Sequence, residues 1–191
     1  MSKTIFYFHG FMSSADSSKA KIFKDFAKHN FPNTKLIIPN IADKFSDAIP
    51  QLKKLVDEVK GDKYFIGSSL GGFFATYFAE LYEKKAVVIN PAINPSKGLK
   101  AYLGNNKNYS NGNKFELTKV DIRELQAIEM EGLKNPSNFL LLNESGDEVL
   151  NYINAIRFYK AGYIDITFGG DHSYTCFSDK LENIKKFLDL Q

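Results

Sequence analysis

Two hydrophobic rhythms alternate along this chain. Short, nearly continuous apolar runs at Lys3–Phe8, Lys35–Ile38, Tyr64–Gly67, Ala86–Asn90, Asn138–Asn143 and Tyr163–Phe168 predict six strands buried on both faces. Between them, apolar residues recur at helical spacing. Ile22, Phe23, Phe26 and Ala27 predict a helix from about Ser17 to Asn30, with Asp16, Ser17 or Ser18 available as its N-cap. Ile49, Leu52, Leu55, Val56 and Val59 mark a second helix, and Leu70–Tyr82, apolar nearly all round, a third that is central. Tyr152, Ile156 and Tyr159 mark a later one, and Leu181, Ile184, Phe187 and Leu188 the last. Strands alternating with helices define an α/β class, three layers with a parallel sheet in the middle.

The rhythm breaks between Pro91 and Pro136. This stretch also holds Pro95, five asparagines between Asn105 and Asn113, and one good helical segment at about Val120 to Met130. It reads as an insertion or cap within a single domain spanning residues 1–191, and a loop of this length is either a lid over a pocket or decoration. If it is a lid, Leu99, Tyr102, Leu103 and Tyr109 face the substrate and the Asn-rich part stays mobile in solvent.

At 191 residues the chain suffices for one full core. Its 17 Phe and 10 Tyr, with no Trp, promise an aromatic-rich core or pocket. The 25 Lys and Arg nearly balance 22 Asp and Glu, and all the basic residues except Arg123 and Arg157 are lysines. A point-charge ammonium lacks the fork that nucleic-acid readers favour, so no nucleic-acid partner is expected. Cys176 stands alone and no Cys/His cluster has zinc-ligand spacing, which predicts neither disulfide nor metal site. The N-terminal apolar run stops at His9, too short for a signal peptide, and nowhere do 18 apolar residues run together; a cytoplasmic protein without a membrane partner is expected.

Gly67-Ser68-Ser69-Leu70-Gly71 matches G-x-S-x-G and joins a strand directly to a helix, the context in which that pattern places a nucleophile on a strained turn. It lacks the G-K-[ST] of a phosphate loop and does not fit G-x-G-x-x-G. A serine hydroxyl needs a base, and the order nucleophile, acid, histidine selects His172 in GGDHSY, because His9 ends the first strand and His29 closes a surface helix. NESGDEVL after the fifth strand of the pattern offers Glu144, Asp147 and Glu148, and Asp171 adjoins the histidine. Asp147 is favoured because it follows Gly146 in a turn, whereas Glu144 is close to the strand and Glu148 opens the next helix, where dipole compensation explains it. The backbone N–H groups of Leu70 and of Phe11, after the His9-Gly10 pair, are the natural oxyanion donors, Met12 being the alternative to Phe11, with His9 propping that loop by hydrogen bonding.

With these motifs in hand, the chain resembles the small YqiA-like esterases of the α/β-hydrolase superfamily over nearly its whole length. The likeness rests on FHGFMSS, IGSSLGG, INPAINP followed by LKAYLG, SGDEVLNY and GGDHSY. Departures lie in KNYSNGNKFEL within the insertion and at Asn151, where an acidic residue is more usual. The resemblance implies a minimal α/β-hydrolase with six parallel strands in order 2-1-3-4-5-6, and a triad of Ser69, Asp147 and His172. It also implies hydrolysis of small-molecule carboxylic esters or acyl thioesters without metal or cofactor. Tyr102 and Leu103 are the candidate acyl-binding residues. A thioesterase or peptidase on the same triad, or a non-catalytic binding protein that keeps the elbow as scaffold, would use the same residues differently.

Overall fold

A computed structural model describes residues 2–190. In chain order its first half runs β1 (Lys3–Phe8), α1 (Ser18–Asn30), β2 (Thr34–Ile37), α2 (Phe45–Asp57), β3 (Asp62–Ser68), α3 (Leu70–Tyr82) and β4 (Ala86–Ile89). Then follow α4 (Ser96–Leu99), β5 (Gly104–Lys107), β6 (Lys114–Leu117), α5 (Lys119–Ala127), β7 (Phe139–Glu144), α6 (Tyr152–Phe158), β8 (Tyr163–Thr167) and α7 (Leu181–Leu188). Six strands form one all-parallel sheet in the order β2-β1-β3-β4-β7-β8. Numbered within that sheet alone, this is the expected 2-1-3-4-5-6.

Strand pleating explains why the runs are continuously apolar. In β1, Ile5 and Tyr7 point to one face and Phe6 and Phe8 to the other, all fully buried. One face packs against Ala20, Phe23 and Ala27 of α1 and Ile184 and Leu188 of α7. The opposite face packs against α2, the whole inner surface of α3, and Ala155 of α6. The strand order reverses about β1, with β2 on one side and β3 on the other. In-register pairing of Phe8 with Gly67 then sets the segments that follow these two strands side by side. That is the crevice where open parallel sheets bind ligands.

The segment between β4 and β7 is more ordered than its composition suggests. Besides α5 it forms α4, a 3-10 turn at Lys100–Tyr102 and an antiparallel hairpin of β5 and β6. The hairpin tip faces solvent over residues 109–114 but is anchored through Asn108. Asn108 is buried, its Nδ2 donates to Ser13 O at 3.2 Å and to Asp43 Oδ1 at 2.5 Å, and its Oδ1 accepts from the amides of Ser110 and Asn111. Tyr109 N–H donates to Met12 O, and the hydroxyls of Ser14 and Ser110 bond at 2.6 Å. An asparagine side chain that meets donors and acceptors on two segments is an anchor, a role that composition cannot distinguish from solvation.

Asp121 ties the cap to the α/β core. Its carboxylate accepts from Ser46 N–H at the start of α2 and from both the backbone and hydroxyl of Thr118, closing a capping box on α5. Burial alone raises its pKa, but these donors outweigh burial and hold the carboxyl down at about 2, against an ordinary 3.8. A depressed carboxyl contributes stability above the unfolded-state value and loses it as pH falls through the folded-state value. Asp121→Asn should therefore lower stability by about 2 kcal/mol at pH 7. In denaturant titrations, the gap between parent and variant should close between roughly pH 4 and 2.

Candidate active site

Ser69 has no loop to sit on: β3 ends at Ser68 and α3 begins at Leu70, so one residue makes the whole turn. It does so at φ 56° and ψ −122°, a backbone conformation L-residues rarely adopt. The flanking glycines are required by contact. A Cβ on Gly67 would lie 2.0 Å from Gly71 O, and one on Gly71 would lie 2.0 Å from Phe8 O. Ser69 N–H donates to Ile89 O at 2.9 Å, and Ser69 O accepts from Gly72 and Ala92, so the turn is tied to the end of β4.

Ser69 Oγ stands 3.0 Å from His172 Nε2, and His172 Nδ1 stands 2.8 Å from Asp147 Oδ2. The Asp147 side chain is fully buried. Its second oxygen accepts from Val149 and Leu150 N–H at 2.9 and 2.7 Å, which fixes the carboxylate in the turn after β7. With Nδ1–H donating to Asp147, Nε2 is free to accept the seryl proton.

Two other carboxylates take parts that the sequence reading did not give them. Glu144, last in β7, is buried, and its Oε2 accepts from Asp171 N–H at 2.7 Å while its Oε1 accepts from the Cys176 thiol. Burial, reinforced by this carboxylate, pushes the Cys176 thiol above its ordinary value. Glu148 does not open a helix, since α6 starts only at Tyr152; its Oε2 accepts from His172 N–H at 3.0 Å. Asn90 completes the frame at φ 40° with no exposed surface. Its Nδ2 reaches Asp171 O and His172 O, and its Oδ1 accepts from Glu144 N–H and Asn143 Nδ2. The available signal was its place before Pro91, which reads as no more than the end of a strand.

The sites named for the oxyanion lie as the strand register dictates. Gly10 approaches Ser69, with Ser69 Cβ and Oγ 3.4 and 3.8 Å from where its own Cβ would be. Among the described residues, the amides of Phe11 and Leu70 donate to no protein acceptor. His9 accepts from Ile41 N–H through Nε2 and donates through Nδ1 to Gly10 O, so it braces this loop. Burial pushes its pKa below the ordinary value, against the Gly10 bond and Asp43, which favours the neutral ring that these two bonds need.

These groups open onto a pocket of about 890 Å³. Phe11, Ile93, Leu99, Tyr102 and Leu150 form an apolar wall, part of it supplied by the cap, and Tyr109 stands at the rim. Tyr102 packs edge-on against Phe11 with ring centroids 5.4 Å apart. Leu103 is not on this wall. A tight 3-10 turn sends successive side chains in directions about 120° apart, and Leu103 is left 41% exposed outside the pocket. The lining also takes in Ser17, Ser18, Lys19, Ser173 and Thr175, with Ile22 and Phe177 among them. Burial lowers the Lys19 pKa, and the charges of Asp171, Glu144 and Asp147 oppose that shift. Among the described residues, no group of three or more His, Cys, Asp or Glu side chains is placed to hold a metal ion. None of the described helices is long and apolar enough to cross a membrane.

The strand order and the one-residue turn between β3 and α3 are those of the α/β-hydrolase fold, and solved structures agree. Mouse alpha/beta hydrolase domain-containing protein 10 superposes with a TM-score of 0.75 at 15% identity, over 97% of this chain and 89% of its own. Est1E from Butyrivibrio proteoclasticus, in a complex with ferulic acid, gives 0.76 at 15% identity over 99% and 89%. The esterase domain of a Rhodothermus marinus protein gives 0.69 at 14% identity over 97% and 85%. Within that class the chain belongs to the YqiA family, whose model, described as Uncharacterised protein family (UPF0227), matches residues 4–189.

Asn90→Ala should leave Glu144 N–H and Asn143 Nδ2 buried without an acceptor, at about 1–3 kcal/mol each. Thermal denaturation should show that loss. Hydrogen exchange should show the Glu144 amide losing protection together with the 171–176 loop, and protection that stays at the parent level would contradict this account of the frame.

Proposed function

We propose that this chain is a serine esterase that hydrolyses carboxylic esters through an acyl-enzyme, acyl thioesters being the same chemistry with a thiol leaving group. The observation that carries the reading is the unbroken hydrogen-bond chain from Ser69 through His172 to Asp147 at the wall of a solvent-accessible pocket. His172 Nε2 takes the Ser69 proton as Oγ attacks the carbonyl carbon, and Asp147 holds the ring in the required tautomer and stabilises the imidazolium. The charge that develops on the carbonyl oxygen is met by the free amides of Phe11 and Leu70. Collapse of the intermediate expels the alcohol or thiol with the proton returned by His172, and water repeats the sequence to release the acid. The apolar wall of Phe11, Leu99 and Tyr102 receives the acyl chain. Esterases among the structural neighbours are in keeping with this chemistry.

A fluorophosphonate should label Ser69 and no other serine, as mapped by peptide mass spectrometry, and Ser69→Ala should abolish both labelling and ester turnover. Labelling at Ser68, or none in folded protein, contradicts the proposal and favours a binding protein on the same scaffold. Asp147→Asn should lower kcat on the order of 10⁴-fold, because the imidazole then takes the wrong tautomer.

Acyl-chain preference should respond to the cap. Each methylene that the pocket accommodates is worth about 0.8 kcal/mol, so Tyr102→Ala should move the optimum in kcat/KM to a longer chain across a series of p-nitrophenyl esters. Leu103→Ala, outside the pocket, should leave the optimum where it is.

A further inference from the structure

The pocket is lined almost entirely by uncharged side chains. Among the described residues that line it, Lys19 is the one Lys, Arg, Asp or Glu. It sits in the first turn of α1, which holds no acidic residue, so it places a cation where the helix dipole favours an anion. A local rule broken at a pocket wall is the mark of a residue kept there for something other than the helix. Its Nζ donates to Ser173 O at 2.5 Å, one residue beyond His172. An ammonium has three N–H donors, and this is its one hydrogen bond within the described residues. Of the carboxylates that attract it, Asp171 comes first and has one buried oxygen without a partner among the described residues; Asp147 is bonded to His172, and Glu144 to Asp171 N–H and the Cys176 thiol, and none of the three lines the pocket.

The chemistry orients the substrate. His172 must hand its proton to the departing atom, so the leaving group exits on the side of the histidine loop. On that side Lys19 is joined in the lining by the hydroxyl-bearing residues Ser17, Ser18, Ser173 and Thr175, interleaved with Ile22, Tyr174 and Phe177. We propose that this side of the pocket is a leaving-group subsite in which Lys19 selects esters or thioesters whose alcohol or thiol part carries a carboxylate or phosphate. The inference rests on the esterase reading and assigns its substrate class.

The test compares kcat/KM for 4-carboxyphenyl butyrate and 4-carbamoylphenyl butyrate, nearly equal in size and differing by one charge. Intrinsic leaving-group reactivity cancels when the anionic-to-neutral ratio is compared between proteins. In Lys19→Met that ratio should fall about tenfold, and Lys19→Arg should keep most of it. For the parent, added salt at about 0.5 M should also lower the ratio. A 4-(phosphonomethyl)phenyl ester in the same series shows which anion the subsite prefers. If Lys19→Met slows both esters equally and leaves the ratio unchanged, Lys19 is only a strut for the histidine loop and the subsite is refuted. Fluorophosphonate labelling of the parent separates the two levels. Labelled Ser69 with an unchanged ratio overturns the subsite alone, whereas unlabelled Ser69 with no turnover of either ester overturns the esterase reading and the subsite together.

Discussion

The arrangement at the carboxyl edge of the sheet depends on how closely α3 approaches β1 and β3. Gly71 passes so near Phe8 O that no side chain fits between them, and Gly67 is closed off in the same way by Gly71. This closeness leaves a single residue to turn a strand into a helix, and Ser69 accepts the left-handed backbone that follows, at a cost of order 1–3 kcal/mol. Bonds from the turn to Ile89, Gly72 and Ala92 hold it there. The result is a hydroxyl raised above the sheet, with a free amide one residue on and the loop after β1 alongside. A looser packing of α3 would relax the turn and lose all three features together.

The histidine loop is governed by buried polar groups instead of close packing. Residues 169–173 have no regular structure, and their path is set by hydrogen bonds to Ser145, Glu144, Glu148, Asn90 and Lys19. Such a network adds little net stability, because each partner was also hydrated in the unfolded chain. Its value is geometric: in a low-dielectric setting each unmade bond is costly, so one arrangement of the loop is strongly preferred. That preference holds His172 between Ser69 and Asp147.

The fold was largely legible because its signals are repetitive. Continuous apolar runs such as Phe139–Leu142 report a strand covered on both faces, and the heavily apolar Leu70–Tyr82 reports a central helix. The juxtaposition of Ser69, Asp147 and His172 was legible for a different reason: each lies just beyond a parallel strand, so the topology alone gathers them at one edge. What escaped the sequence are residues whose roles depend on a partner far along the chain. Asn90 reads as the last residue of a strand until the loop some 80 positions later folds over it. Glu144 and Glu148 differ from Asp147 in reach more than in kind, and three-dimensional placement decides which N–H each one meets. Asn108 sits in a polar tract whose composition argues for solvent, yet it is buried between Ser13 and Asp43. Leu103 shows the converse, an apolar residue beside the pocket in sequence and outside it in space.

The grip of the hairpin tip on Met12, Ser13 and Asp43 means that the cap and the loop carrying the Phe11 amide form one mechanical part. In modular terms, the roof of this pocket is not an interchangeable accessory. Grafting a larger cap from a relative, with its own tip sequence, would strip support from residues 11–14, and the graft would need its matching first loop to travel with it. Diversification of the pocket on this scaffold would accordingly proceed by paired exchange of two segments nearly 100 positions apart, not by free variation of the insertion.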